Sequence, residues 1–366
     1  MDNSYQKVLQ GLPEQDLLQD HRISLTGKSF QKVSSFFFQN KEDTAAVWFF
    51  LVVLICLYYA FCWHREKKVV QNLTEKYVFI TGCDSGFGNL LAKHLDRQGL
   101  LVLASCLTEK GAEELKRNTS DRLETVILDV TKTESITAAT QWVKELVQDK
   151  GLWVLVNNAG IALPTLPNEW LKKEDFVKIL DVNLVGLIEV TLSMLPMVRK
   201  AQGRVINVSS VAGRVAAFGG GYCISKHGVE AFSDSLRREI APFGVKVVII
   251  EPEYFRTLIL SPDNVNDLLK ELWSQVPLEI KEAYGEHYFK SYCKFVNNFL
   301  SRGKKNLHPV IWSMENALTA VYPRTRYAVA WEAKFIQIPL SYLPASLMDF
   351  IIFKSLYRCK PAHAVC

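Results

Sequence analysis

The chain has 366 residues, a formal net charge of +5 and 49% hydrophobic residues. That length suffices for one large domain or two ordinary ones with a sizeable core, and so mild a charge, with no long basic run, argues against a nucleic-acid partner. The eight cysteines include no C-x-x-C pair and the histidines are scattered, so neither a disulfide framework nor a metal site is expected, and free thiols in a reducing compartment are the simpler reading.

Residues 1–44 are polar, mixed in charge and without sustained periodicity, which reads as a poorly ordered extension. Ala45 to Trp63 then reads A-A-V-W-F-F-L-V-V-L-I-C-L-Y-Y-A-F-C-W, without a charge. A bilayer needs about 20 apolar residues, and Trp48, Tyr58, Tyr59 and Trp63 suit its interfaces. The run is too long for a cleaved signal peptide and has no small-residue cleavage site after it. A core helix is seldom apolar on every side for so long, so a transmembrane anchor is expected over 45–63. Arg65, Lys67, Lys68 and Lys76 follow it, against Lys28, Lys32 and Lys41 before it, which favours a cytosolic catalytic domain. The sequons Asn72-Leu73-Thr74 and Asn118-Thr119-Ser120 could be used only by a lumenal one.

Beyond the anchor, Tyr77–Ile80 is a short apolar strand, followed by Thr81-Gly82-Cys83-Asp84-Ser85-Gly86-Phe87-Gly88 and a helical run, Asn89–Arg97. Glycines between a strand and a helix let backbone N–H groups approach a pyrophosphate at the helix N-terminus. The strand at Leu101–Ser105 ends in Cys106-Leu107, without the acidic residue that would hold the ribose of NAD or the arginine that would hold the phosphate of NADP. Asp84 in the turn would repel an additional phosphate, which tilts the choice to NAD.

Strands and helices then alternate. Thr125–Leu128 ends at Asp129, from which a carboxylate could reach an adenine amino group, and Ser135–Lys150 has helical spacing. Val154–Val156 ends in Asn157-Asn158-Ala159-Gly160, and Phe176–Pro196 is a long helix with one polar residue, Asn183, on an apolar face. Val205–Val208, ending at Ser209-Ser210, and Val245–Ile250, ending near Pro252, are two more strands. Such repetition predicts an α/β fold, a Rossmann-type doubly wound parallel sheet. Ligands belong at the carboxyl ends of its strands, where the glycine turn, Asn157, Ser210 and Pro252 fall.

Gly219-Gly220-Gly221 delivers the chain into a helix opened by Tyr222, and Lys226 lies four residues on, one turn away on the same face. A neighbouring ammonium favours tyrosinate and lowers a phenol pKa that is otherwise about 10. Ser210 could hydrogen-bond the same substrate oxygen. An amphipathic helix with one aromatic and one lysine is the plainer alternative.

Taken in order, T-G-x-x-x-G-x-G at Thr81–Gly88, N-N-A-G at Asn157–Gly160, Ser210 and Y-x-x-x-K at Tyr222–Lys226 resemble the short-chain dehydrogenases/reductases over about residues 75–260. The runs I-T-G-C-D-S-G-F-G-N, G-L-W-V-L-V-N-N-A-G, G-G-G-Y-C-I-S-K and V-E-A-F-S-D-S-L-R-R-E look like the membrane-bound retinol dehydrogenase and 17-beta-hydroxysteroid dehydrogenase type 6 subfamily. The resemblance implies Tyr222 as general acid/base, Lys226 as its electrostatic partner on the nicotinamide ribose, Ser210 orienting the alcohol or carbonyl, and Asn183 holding a relay water. It also implies that Thr81, Gly82, Ser85, Gly86, Phe87, Gly88, Asp129, Asn157, Ala159, Gly160, Tyr222, Lys226 and Pro252 bind the cofactor, with NAD preferred over NADP. The usual E-P-G after the sixth strand is replaced by Glu251-Pro252-Glu253. A glutamate where glycine could take positive φ would be strained and would bring a negative charge near the nicotinamide; a side chain turned away, with little effect, is the favoured reading.

The catalytic domain is thus expected over 70–322, with a substrate lid over about 260–322 and helical patches at Val265–Trp273 and Ile280–Phe299. Phe335–Ile338 is a candidate last strand. Residues 323–366 form an apolar segment, proline-broken between Pro339 and Leu356, that either lies in the membrane interface or docks on the core. The resulting expectation is an endoplasmic-reticulum oxidoreductase that passes hydride from a retinol or hydroxysteroid to NAD. Its partners would be a lipophilic small molecule and the membrane, with a homodimer left open. A non-catalytic NAD- or retinoid-binding scaffold is the alternative, supported only by Glu253. A serine hydrolase is disfavoured because Ser210 lacks a G-x-S-x-G elbow.

Overall fold

The computed structural model describes residues 41–163, 165–257, 262–356 and 362. Most of the N-terminal extension therefore lies outside the described residues, as does nearly all of the tail after residue 356. The chain divides into two compact units, one ending at His64 and the other beginning at Arg65. In the first, a single helix, α1 (Lys41–Glu66), carries the apolar stretch Val47–Tyr58, whose Trp48, Phe50, Leu54 and Tyr58 side chains are exposed. Among the described residues, the helix long and apolar enough to cross a bilayer is 173–200, in the second unit.

That second unit is built on a parallel sheet of β1 (Tyr77–Ile80), β2 (Leu101–Cys106), β3 (Leu123–Ile127), β4 (Val154–Asn157), β5 (Arg204–Val208), β6 (Lys246–Pro252) and β7 (Arg326–Val329). The spatial order is β3-β2-β1-β4-β5-β6-β7, the doubly wound pattern expected from the alternation. The order reverses between β1 and β4, the place where such sheets open a crevice for a ligand. Side chains alternate between the two faces along each strand. Val78, Ile80, Val154, Val156, Ile206, Val248 and Ile250 join one buried cluster with helices α2 (Gly86–Arg97) and α3 (Glu109–Arg117). Phe79, Leu103, Leu155, Val205 and Val247 join the other, against α4 (Thr133–Val147), the continuous helix of α5 (Lys173–Leu180), a π-turn (Asp181–Val185) and α6 (Gly186–Lys200), and α7 (Gly221–Ile240). The apolar 173–200 stretch is accordingly a core helix of the sheet.

After β6 the chain forms α8 (Pro262–Gln275) and α9 (Leu278–Ser301), the latter kinked at Gly285, whose φ is +78°. They pack on the loop after β4 through a separate aromatic core. Trp273 stacks on Phe289 at 4.8 Å between centroids, and Trp170 meets Trp273 at 4.6 Å. That aromatic core takes residues up to Leu300. The following helix, α10 (His308–Thr319), buries Val310, Ile311, Met314 and Leu318 against the sheet itself. Within the segment expected as a lid, it is α8 and α9 that share the separate aromatic core, while α10 presents its apolar face to the strands.

The last strand is also displaced from the expected one. Arg326–Val329, not Phe335–Ile338, pairs with β6, in the register Ile250↔Tyr327. Tyr327 and Val329 fill the core while Arg326 is held by Glu230 at 3.1 Å and Asp234 at 2.8 Å. Phe335 and Ile336 are exposed, in a π-helical turn, Ala333–Gln337. The β-rich look of the later run was a composition signal, whereas strand placement follows from partners.

Arg204 is completely buried at the start of β5. Its Nη1 donates to the carbonyls of Ala317 and Ala320, each at 2.8 Å, at the C-terminal end of α10, and its guanidinium lies 4.6 Å from the Trp153 ring centre. A cation there complements the helix dipole, although burial lowers its pKa to about 10. Arg204→Ala would strand two carbonyls and open a void, a loss of roughly 2–5 kcal/mol. The expected readout is a lower urea midpoint with the slope unchanged.

Candidate active site

The crevice between β1 and β4 is held closed at its base by backbone contact. Gly82 (φ +71°) and Gly86 (φ +64°) take conformations that a side chain resists. A Cβ on Gly88 would stand 2.4 Å from the Gly82 carbonyl oxygen and 2.5 Å from Asn158 Nδ2. Thr81 Oγ1 accepts from the backbone N–H groups of Asn158 and Ala159, each at 3.0 Å, and Asn158 Nδ2 donates back to the carbonyls of Thr81 and Gly82 at 2.9 and 3.0 Å. The turn thereby ends at the N-terminus of α2, where Ser85 makes no side-chain capping bond. Leading N–H groups of a helix left in this state, beside a glycine cradle, suit a diphosphate.

The sequence reading placed cofactor contacts on both Thr81 and Asn157. Here Thr81 braces the turn, and Asn157 lies underneath, its Nδ2 donating to Thr191 Oγ1 and Asn207 Oδ1, each at 2.8 Å. Asn158, its neighbour, lines the cavity and ties the turn to β4. It went unassigned in sequence because two adjacent asparagines are indistinguishable until the strand's end is known. Gly82, Ser85, Gly86, Phe87, Asp129, Ala159, Gly160 and Pro252 all line the same cavity. Gly88 does not; its lack of a side chain is used for close packing.

On the other side of the cavity, Asn168 Oδ1 accepts from the Gly220 N–H at 2.7 Å and fixes the entry to α7. Tyr222 follows, half-buried in the cavity wall that it shares with Ser210. Ser210 Oγ also donates to the Pro252 carbonyl at 3.3 Å. Lys226 Nζ donates to the Val208 carbonyl at 2.8 Å and sits 5.7 Å from the centre of the Tyr222 ring. The expected drop in the phenol pKa is not what this environment produces. Burial pushes Tyr222 up to about 12, the Ser210 hydroxyl opposing, and burial brings Lys226 down to about 8, with Glu230 opposing. Desolvation of each group outweighs the interactions that favour its charged form.

Asn183 lies in the π-turn and is fully buried. Its Oδ1 accepts from the Ile161 N–H at 2.8 Å, and its Nδ2 donates to the Ile161 carbonyl at 2.8 Å and to Ser225 Oγ at 3.1 Å. Its side chain thus fastens the cavity loop after β4 to α7. Glu253 is not at positive φ, so no strain arises from the absence of glycine. Its carboxylate lines the cavity but is bound by Lys304, which also binds Glu332, while Gln337 Nε2 approaches at 3.5 Å. The side chain is paired, not turned away.

The cavity measures about 900 Å³ and widens beneath the lid into an apolar chamber with Leu166, Phe218, Leu269, Leu272, Phe295 and Phe299. The helix α11 (Ala345–Leu356) closes one side with Met348, Ile351 and Ile352.

Residues 76–267 match the short chain dehydrogenase family. Retinol dehydrogenase 16 of Mus musculus is 62% identical over 307 residues, 84% of this chain and 97% of its own. The 17-beta-hydroxysteroid dehydrogenase type 6 of Homo sapiens is 59% identical over 319 residues, 87% of this chain and 100% of its own. A short-chain dehydrogenase from Streptomyces avermitilis shares the fold, with a TM-score of 0.61 at 23% identity over 78% of this chain and 98% of that one. This chain belongs to the short chain dehydrogenase family. It is an oxidoreductase with a nicotinamide cofactor, and the non-catalytic scaffold is not favoured.

Gly88→Ala is expected to force the turn away from Asn158. Cofactor affinity should fall at least about tenfold, on the scale of a modest 1.4 kcal/mol, in a titration of NADH fluorescence.

Proposed function

We propose that this oxidoreductase interconverts a large apolar alcohol, of the retinol or hydroxysteroid kind, with its carbonyl compound, using NAD. The observation that carries the reading is the seating of Ser210, Tyr222 and Lys226 in a cavity of about 900 Å³ that includes an apolar chamber, together with relatives named for these two substrate classes. The nicotinamide supplies the hydride acceptor or donor when bound. The glycine turn and the N-terminus of α2 would hold its diphosphate, Asp129 its adenine end, and Lys226 its ribose. Ser210 orients the substrate oxygen, and Tyr222 takes or returns its proton. Protonated Lys226 favours the tyrosinate against the desolvation that opposes it. Asn183 has its place in a relay through the loop that it fastens.

Asp84 supports NAD. Its carboxylate accepts from the N–H groups of Leu107 at 2.8 Å and Thr108 at 3.1 Å, in the loop after β2. A negative charge there opposes an extra phosphate on the adenosine ribose. Asp84→Asn is expected to narrow the preference for NAD over NADP by roughly five- to tenfold, about 1 kcal/mol of charge repulsion, measured as the ratio of the two Kd values.

Membrane attachment is supported by the uncharged run 45–63 and by the two-sided character of α11. One face of that helix lines the cavity, while Leu347, Phe350 and Phe353 are exposed, as are Trp331, Phe335 and Tyr342. Apolar side chains of this kind favour an interface with lipid, which would bring a lipophilic substrate to the chamber. Attachment to the endoplasmic reticulum is part of this reading, and the cations after the run favour a cytosolic catalytic unit. Glycosidase treatment should then leave the protein's mobility unchanged; a shift would show that Asn72 or Asn118 had been glycosylated in the lumen.

The decisive assay is NADH formation by membranes containing the protein, given NAD and all-trans-retinol or a 3-alpha- or 17-beta-hydroxysteroid. Turnover is expected with at least one substrate class, and Tyr222→Phe should lower it by at least about 10²-fold, the lower end for a lost general acid/base. Bound NAD without turnover of either class would overturn the reading.

A further inference from the structure

Behind Lys226, away from the cavity, two acidic side chains meet in the core. Glu230 lies one helical turn beyond Lys226 on α7, and Glu251 sits near the end of β6, with relative exposures of 7% and 1%. Both carboxyl groups flank the Arg326 guanidinium, and each acts on the other. On each, Oε1 is buried and has no hydrogen-bond partner. Two facing carboxylates in a low-dielectric site repel strongly and are held together by a proton between them.

The surrounding cations say which group carries that proton. Arg326 Nε binds Glu230 Oε2 at 3.1 Å and Nη2 binds Asp234 at 2.8 Å. For Glu251 the nearest guanidinium nitrogens, on Arg214 and Arg326, both stand off at 3.8 Å, beyond hydrogen-bonding reach. Arg237 is spent on Asp234 at 3.1 Å, and Arg214 donates to Tyr342 Oη at 2.6 Å. Glu230 therefore has the short charge-assisted contact, and Glu251 the environment of a neutral acid. Burial, with Glu230 next, raises the Glu251 pKa to about 7.

Building on the catalytic reading, we propose that Glu230 and Glu251 share one proton and act as a single buried anion that keeps Lys226 charged, a pair of positioning residues for the Tyr222–Lys226 couple. Lys226 needs this support because its nearest polar contact, the Val208 carbonyl, is neutral. Asp234, Arg237, Arg214, Arg326 and Tyr342, the other charged or titratable groups around the pair, are engaged with one another or with it. The shared proton holds the pair at one negative charge. With both carboxyls ionised the fold would lose stability.

The sign of the pH effect follows from the raised folded pKa of Glu251. The stabilisation is complete below its unfolded value of about 4.5 and disappears as pH rises through about 7. Thermal unfolding of the full-length protein in detergent should therefore show a Tm that falls between pH 6 and 8. Glu251→Gln keeps a donor toward Glu230 and should flatten that slope. Infrared spectra should show the carbonyl stretch of a protonated carboxylic acid at pH 6, lost in Glu251→Gln.

Turnover separates positioning from mere packing. Glu230→Gln removes the anion but preserves shape, and should move the alkaline limb of the pH–rate profile down by about one unit, a tenfold change in Lys226 acidity. Glu251→Gln leaves the anion on Glu230 and should move that limb by less. Equal shifts in the two variants, or no protonated-acid band in the native protein, would overturn the proposal. The infrared band does not depend on turnover, so an inactive but band-positive protein would count against the catalytic reading alone.

Discussion

Everything in the catalytic unit depends on how closely the turn after β1 approaches the loop after β4. The two strands are neighbours at the point where the strand order reverses, and the backbone segments that follow them come into close contact. Four hydrogen bonds from Asn158 and Ala159 to Thr81 and Gly82 cross that junction, and Gly82 and Gly88 leave no room for a Cβ. Backbone groups that would otherwise be stranded in the core are paired, and the N-terminus of α2 is aimed at the crevice. The glycine turn proposed to hold a cofactor diphosphate and the side chains proposed to react are then carried by the same sheet, one from the β1 end and the other from β5 and α7.

The substrate chamber obeys different physics. Its walls come from a loop and two helices that share an aromatic core separate from the two on the faces of the sheet, and from the C-terminal helix α11. Aromatic side chains bury much area with few rotatable bonds, so the lid has a stable interior without drawing on the sheet. The chamber is apolar because those helices and loops turn apolar side chains into it, with the polar groups of Ser210 and Tyr222 toward the glycine turn. Lys304 links that end to the lid's root. Its backbone bonds Tyr254 and Arg256, and its side chain bonds Glu253 and Glu332. The glutamate in place of glycine is thereby absorbed as an ion pair.

Buried charge recurs around the site, each time with a specific partner. Arg204 ends a helix, Lys226 faces Tyr222 with Glu230 behind it, and Arg326 stitches β7 to α7. Desolvation alone would neutralise or expel such groups. Their retention binds the elements that carry the catalytic side chains to one another.

The sequence by itself determined the order of the strands along the chain, the glycine turn, the Tyr222–Lys226 spacing and the family, because each is a local pattern of period, turn residue or motif. It also showed that Glu253 was unusual. Only the tertiary structure decided that β7 is Arg326–Val329, that α10 packs on the sheet, and that Asn158, beside Asn157, lines the site. Those outcomes depend on contacts between residues far apart in the chain. Arg326 becomes a strand residue through Glu230 and Asp234, nearly a hundred positions away (|i−j| of 96 and 92), and Glu253 becomes harmless through Lys304, 51 positions on. Local patterns are written in neighbouring residues; pairing of charges and burial of faces exists only once the chain has closed on itself.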